Sequence, residues 1–311
     1  MAPLLIAKSC EGWYIRSAMI TELSGDQIKR FNSWIEAKEF LLSVGGGFVF
    51  RGVHNAEWDL ETSLDRCAIY RHAEAEKLLI ESFERSVPNI LTSLPEDADR
   101  VSWMALMRHY GLPSRLLDCT ESIPVAAYFA SGGEPKSDFA IWAFNIGVVQ
   151  RSAEQSLGIL NASDAPLGPL ELGSDATFRT AFRNVKRFIA VVDINHKTER
   201  QRKQRGLFLC PGSSEFPFWR NLMDVPEERA IGALYQVVLP SGAHSQVMAD
   251  LEGQNINHEE LLPDPHELTA ICTELGEALR SSQSNYGHFQ WKVEVLPQIE
   301  RRGLKAVFVD Q

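Results

Sequence analysis

The sequence predicts an α+β protein, with mixed or antiparallel sheets flanked by helices. Apolar runs of strand length recur at 48–50, 139–144, 188–192, 207–209 and 234–239. Longer stretches place their apolar residues at helical spacing, clearest over 73–94. The two kinds of segment intermix without regular βα alternation, which argues against a doubly wound or barrel fold.

Taken in order, residues 1–24 predict lead-in strands around Trp13, Tyr14 and Ile15. A helix is predicted from a cap at Ser24, because Ile28, Phe31, Trp34, Ile35, Phe40 and Leu41 share its spacing. Gly45, Gly46 and Gly47 end it and launch the strand Phe48-Val49-Phe50. These glycines precede a strand and lack the GxxxxGK[ST] pattern, so they do not form a phosphate loop of that kind. Arg51 follows directly, and a buried arginine needs either a salt bridge, with Asp59, Glu61 or Asp65 as nearby candidates, or an anionic ligand.

The segment from Arg108 to Thr120 carries two arginines, His109, Asp118 and Thr120 around the Gly111-Leu112-Pro113 turn. Gly111 and Pro113 predict a break between a helix ending near Tyr110 and a strand through Leu116 and Leu117. Pro124 suits the first turn of the next helix, which carries Tyr128 and Phe129. Two readings of the polar residues stay open. Arg115 and Asp118 form a buried ion pair that fixes the turn, or the ends of rigid elements aim them at a ligand.

Further along, 150–180 is expected to be an excursion of loops and short helices. The charged run 197–206 is expected to be a solvated turn. Helices are predicted at 258–262 and 265–279, with closing strands at 289–295 and 304–309.

A net charge of -10 disfavours indiscriminate binding to nucleic acid, though a local basic groove is compatible with it. The five cysteines are scattered and contain no CxxC pair, which fits reduced thiols and a cytoplasmic location. No apolar run reaches membrane-span length, and the N-terminus lacks the pattern of a signal peptide. His266-Glu267-Leu268-Thr269-Ala270 begins like a zinc-binding helix, but Ala270 stands where the second histidine is needed, so no metal is expected. The sequence specifies no oligomeric state.

Three motif pieces stand in order: Phe48-x-Phe50-Arg51-Gly52 with Ser63-Leu64-x-Arg66; His109 to Thr120 with Ala127-Tyr128-Phe129-Ala130; and Gln204-x-Gly206-Leu207-Phe208. Together they resemble the FRG domain, a bacterial and phage family named for its Phe-Arg-Gly motif. Leu261-Leu262-Pro263-Asp264 resembles the family's closing segment. Cys119 departs from the usual tryptophan, and Arg205 from the frequent glutamine. The resemblance implies a lead-in over 1–33, the FRG domain over 34–280, and C-terminal strands over 281–311.

A second likeness is to ADP-ribosyltransferases of the arginine–serine–glutamate type, and it implies a core of that kind. In those enzymes an early-strand arginine binds the NAD phosphates. A Ser/Thr-bearing strand leads into a helix with small and aromatic residues, and a turn before a late strand carries the catalytic glutamate. Arg51, Thr120 with Tyr128, and Gln204 occupy those stations, although Gln204 cannot carry charge. The likeness implies Arg51, Asp118 and Gln204 as catalytic candidates, and His109 joins them from a nucleic-acid-directed reading in which His109, Arg115 and Asp118 form a metal-free catalytic cluster. The same likeness implies Arg51, Tyr110, Arg115, Thr120 and Tyr128 as the NAD-binding set.

On this reading a nucleotide is the ligand, and a protein or nucleic acid the acceptor. The family's company suggests phage defence or a toxin role. Two other function classes compete: a nucleic-acid-directed enzyme or binder, and a non-catalytic interaction module. Across all three readings Arg51, His109, Arg115, Asp118, Thr120 and Gln204 are expected to converge on one cleft.

Overall fold

The computed structural model describes residues 8–9, 12–13, 23–66, 73–86, 94–96, 99–133, 136–157, 186–194, 197–223 and 232–262. Two short strands, β1 (Lys8–Ser9) and β2 (Gly12–Trp13), pair antiparallel. The main sheet has seven strands among these residues: β3 (Ile28–Arg30), β4 (Phe48–Val53), β5 (Leu117–Thr120), β6 (Phe139–Asn145), β7 (Ile189–Val192), β8 (Gly206–Pro211) and β9 (Leu234–Leu239). They lie in the order β3-β9-β6-β4-β5-β8-β7. The β3/β9 pair is parallel and the other pairs are antiparallel, so the fold is α+β with a mixed sheet and flanking helices.

The predicted helix from Ser24 is corrected at its N-terminal end. Residues 28–30 form β3, and α1 (Trp34–Ser43) begins only after Ser33, whose hydroxyl accepts from the Glu36 amide. Ladder bonds to β9 decide the difference: the Gln236 amide donates to the Gln27 carbonyl, and the Phe31 amide to the Val238 carbonyl. Tertiary pairing overrides the local apolar spacing.

Strand β4 runs along β6 from Phe48 to Val53 but meets β5 at a single position, Phe50 opposite Thr120. The two central strands part beyond that point. On one face of β4, α4 (Ile123–Ser131) packs closely: a Cβ on Gly52 would lie 2.1 Å from the Ala126 carbonyl oxygen and 2.4 Å from the Ala130 nitrogen. Glycine on the strand and alanines on the helix are what permit this approach. The Ser122 hydroxyl accepts from the Val125 amide and Pro124 sits in the first turn, as the sequence predicts.

Two long helices close another side. α2 (Ala73–Ser86) and α3 (Arg100–His109) share a core of Leu79, Phe83, Trp103, Met104 and Met107 with Phe188 and Phe208. The Asp99 carboxylate caps α3, Tyr110 is its C-cap, and Gly111 takes φ +93°, a left-handed conformation that favours glycine. α5 (Ile146–Leu157) opens the segment expected as an excursion, while 158–185 lies outside the described residues. The charged run departs from a solvated turn. It contains α6 (Glu199–Lys203), held by a reciprocal capping box between Thr198 and Gln201.

α7 (Phe218–Met223) and α8 (His244–Gly253) have no counterpart in the sequence reading. α8 is fixed to α1 because Asp250 accepts from the Trp34 indole at 2.8 Å and pairs with Lys38 at 2.7 Å. A short α9 (His258–Leu261) matches the helix predicted there, with Asn257 as its cap. The expected helix at 265–279 and strands at 289–295 and 304–309 fall outside the described residues. Among the described residues no helix is long and apolar enough to cross a membrane.

Candidate functional site

The cleft of interest, about 930 Å³, lies where β4 and β5 part. That size suits a nucleotide-sized ligand. Arg51 comes from β4, Asp118 and Thr120 from β5, Arg108 and His109 from the end of α3, and Arg200 and Gln204 from α6 and its C-cap. The walls also include Trp58 and the acidic side chains of Glu57, Asp59 and Glu61.

Arg51 occupies the gap between the strands. Its Nη1 donates to the Asp118 main-chain carbonyl at 2.8 Å, beyond the single position at which β4 and β5 pair. The arginine thus bridges the two strands where they part, and it lines the cleft. Its pairing with Asp59, Glu61 or Asp65 is not what forms; the ion pair is to Asp118 Oδ2 at 3.7 Å.

Asp118 is the hub. Arg108 Nε donates to its Oδ2 at 2.7 Å, and Arg108 Nη2 reaches the same oxygen. Burial alone would raise the carboxyl, but the charge and hydrogen bonds of Arg108, then Arg51 and Arg200, hold it below its ordinary range. Every contact that the described residues make to this carboxylate goes to Oδ2, and the side chain is 47% exposed within the cleft. Oδ1 is thus the carboxylate oxygen that the described residues leave without a contact.

Arg108 is held in turn by Ser63. Its Nη1 donates to the Ser63 hydroxyl at 2.6 Å, and that hydroxyl also accepts from the Ser114 amide. Ser63 in the first motif piece is therefore bonded directly to Ser114 in the second and to the arginine that positions Asp118. Thr120 has a comparable duty. Its hydroxyl donates to the Gln204 main-chain carbonyl at 2.6 Å and accepts from the Ser122 amide, so it fixes the turn before β8.

Five of the six residues expected to converge line this cleft: Arg51, His109, Asp118, Thr120 and Gln204. Arg115 does not. It is 4% exposed and pairs with the buried Glu76 of α2, donating through Nε at 2.8 and 2.9 Å and reaching Ser214 and the Pro211 carbonyl. The alternative of an Arg115–Asp118 ion pair is also corrected, since each residue has a different partner. Tyr110 packs its ring into the α2/α3 core, 6.5 Å from Phe83. Tyr128 faces α9, with its hydroxyl 3.4 Å from His258 Nδ1. Alternation explains Arg115: it sits before the strand, where the chain still faces the α2 side.

Arg200 is a cleft residue that the sequence marks only as part of the charged run, expected to be a solvated turn or, with Arg51 and Arg108, part of a basic groove. It lies inside the charged run, and only the capping box turns that run into a helix presenting Arg200 inward. Its side chain has no hydrogen-bond or ion-pair partner among the described residues, and burial lowers its pKa from the ordinary arginine value, opposed by the Asp118 carboxylate and reinforced by the Arg108 charge. Among the described residues, no group of three or more His, Cys, Asp and Glu could hold a metal ion.

The FRG domain model matches residues 46–138, so the chain carries an FRG domain there. The match contains the first two motif pieces, and the piece from Gln204 to Phe208 lies beyond it. No curated protein matches the chain, and no solved structure does either.

Proposed function

We propose that this FRG-domain protein is an ADP-ribosyltransferase-like enzyme that takes NAD or a related nucleotide in the cleft between β4 and β5. The observation that carries the reading is the cluster of Arg51, Arg108 and Arg200 around the single carboxylate of Asp118. Within that cluster three guanidinium groups share one carboxylate, an excess of positive charge that a dianionic diphosphate would balance. Arg51 and Arg200 are the phosphate-binding candidates, because Arg108 is committed to Asp118 and Ser63.

Asp118 Oδ1 faces the developing positive charge at the ribose of the leaving nicotinamide. In the reaction, the bond between ribose C1′ and the nicotinamide nitrogen breaks with its electron pair leaving on nicotinamide. An acceptor oxygen or nitrogen, or water, bonds to C1′, and its proton passes to the Asp118 carboxylate or to His109. Tyr110, Arg115 and Tyr128 take no part in this version of the site. The stations of Arg51, Thr120 and Gln204 on adjacent strands β4, β5 and the entry to β8 support the likeness.

Glu57, Asp59 and Glu61 on the wall oppose any anion, and a polynucleotide with a charge at every phosphate is disfavoured more than a single diphosphate. A cytoplasmic setting agrees with Cys119 and Cys210, both free and buried. A role in phage defence or as a toxin, with a protein or nucleic acid as acceptor, goes with this activity.

The test is a thermal-shift and calorimetric titration with NAD, ADP-ribose and a short RNA, repeated on Arg51→Ala and followed by an assay of nicotinamide release. Stabilisation by NAD that is lost in Arg51→Ala, with nicotinamide released, supports the enzyme. Stabilisation by RNA alone, abolished by salt, overturns it. No response to any ligand leaves the FRG domain as an interaction module.

A further inference from the structure

Trp58 is 50% exposed on the wall of the cleft. Its indole makes no ring contact, no cation contact and no hydrogen bond through Nε1 among the described residues. A single exposed apolar side chain is ordinary on a protein surface. One held rigidly at a cleft is placed to be covered by something else.

The loop that carries the tryptophan is pinned on both sides of it. The Ala56 amide donates to the Asp138 carbonyl at 2.8 Å, and the Ala56 carbonyl accepts from Nε2 of the buried Gln236 at 2.6 Å. The Asn55 side chain accepts from the Glu57 amide at 2.8 Å, and the Asn55 carbonyl from the Trp58 amide at 3.2 Å. Leu60, two residues further on, is buried in the core. The indole is thus presented on ordered backbone, and a partner that covers it has little loop entropy to remove.

The charges around Trp58 are mostly negative. Glu57 precedes it, and Asp59 and Glu61 follow on the same wall. The Glu57 and Glu61 carboxylates make no hydrogen bond or ion pair among the described residues. Arg66, exposed on this wall, gives Nη1 to the Glu61 main-chain carbonyl at 2.9 Å. Burial, then the Asp65 charge, raises the Glu61 carboxyl, so a further cation brought here relieves it. The cleft is therefore bipolar, with carboxylates and an indole from this loop and the guanidiniums of Arg51, Arg108 and Arg200 from β4, α3 and α6.

We propose that Trp58 and the carboxylates beside it form a docking surface for a basic segment of a partner protein, with a lysine or arginine side chain laid over the indole. Charge complementarity chooses this occupant. A cation is drawn both by the face of the indole and by Glu57 and Glu61, whereas an acidic segment or a phosphate backbone is repelled. That the docked protein is the acceptor of a transferred group rests on the nucleotide reading of the cleft; the docking itself does not.

The experiment measures, without nucleotide, binding of the full chain to three labelled probes. They are a peptide of lysine, arginine and serine, its counterpart with glutamate at every basic position, and a short RNA. The basic peptide should bind and the other two should not. Trp58→Ala should weaken the peptide about 2- to 30-fold, the usual range of a cation–π contact, and Trp58→Phe less. Glu57→Gln with Glu61→Gln should weaken it about 5-fold or more. The same charge change at the exposed Glu36 and Glu252, outside the cleft, should have no such effect. Circular dichroism of each variant separates loss of fold from loss of docking. Equal weakening by the two pairs of substitutions, or full affinity in Trp58→Ala, reduces the binding to net charge and overturns the inference. Binding of the RNA in place of the peptide, lost in Trp58→Ala, overturns it in favour of a nucleic acid. Absence of binding to all three probes overturns the docking surface and leaves the nucleotide reading to the NAD titration. Docking of the peptide with no response to NAD overturns the nucleotide reading alone.

Discussion

Arg108 and Asp118 tie the last turn of α3 to β5 through a 2.7 Å bond from Nε to Oδ2, with Nη2 on the same oxygen. Asp118→Asn removes the charge and leaves Arg108 a neutral amide oxygen in place of the carboxylate. Asp118→Asn should cost about 1–3 kcal/mol of stability, the range for charge-assisted hydrogen bonds, reduced here by partial exposure. It should also abolish nicotinamide release. Urea unfolding and the release assay check the two effects on one preparation.

The same pair predicts a pH dependence. The Asp118 carboxyl is held below its ordinary value of 3.8 in the folded chain, so the unfolded chain binds more protons as pH falls through that range. The pair's contribution is complete well above 3.8 and is lost as pH falls through the folded value. Asp65 has the opposite sign, because burial raises its carboxyl and acidification relieves it. The stability difference between the unmodified protein and Asp118→Asn should therefore be constant from pH 8 to 6 and shrink below pH 4.

Arg115 and Glu76 are 4% and 5% exposed, away from the cleft. Breaking a buried pair by neutralising one member leaves the other uncompensated, so Glu76→Gln should cost about 3–5 kcal/mol. The double change Glu76→Leu with Arg115→Met should recover much of that loss. Neither variant should alter NAD affinity beyond its effect on the folded fraction, which calorimetry below the melting transition checks.

Arg51 and Arg200 should separate stability from ligand binding. Arg200→Ala removes no hydrogen bond to a described residue, and should leave the melting temperature within a degree or two of the parent. It should weaken NAD binding about 10-fold or more, the usual value of a charge-assisted contact. Arg51→Ala should weaken binding at least as much and also lower the melting temperature, since it frees the Asp118 carbonyl.

Gly52 should tolerate no side chain. The 2.1 Å and 2.4 Å approaches in Gly52→Ala are to backbone atoms of α4, so the helix must move as a unit. Several kcal/mol of destabilisation and loss of folded protein are expected, read by circular dichroism of any soluble fraction.

The fold class, most strands of the main sheet, the helix break at Gly111 and the helix start at Pro124 were legible in the sequence, because each is set by local spacing or turn chemistry. The motif pieces likewise marked the residues that line the cleft, since Arg51, Asp118 and Gln204 sit at ends or entries of strands. Pairing was beyond sequence. Which carboxylate meets Arg115, which carbonyl meets Arg51, and which way Gln204 turns all depend on groups 39, 67 and 57 residues distant. The inward placement of Arg200 and the strand at 28–30 depend on the same kind of contact. A residue's chemistry and local spacing are properties of the chain, so sequence determines them; the partner that sets its charge state and direction is brought by packing, so only the tertiary structure decides it.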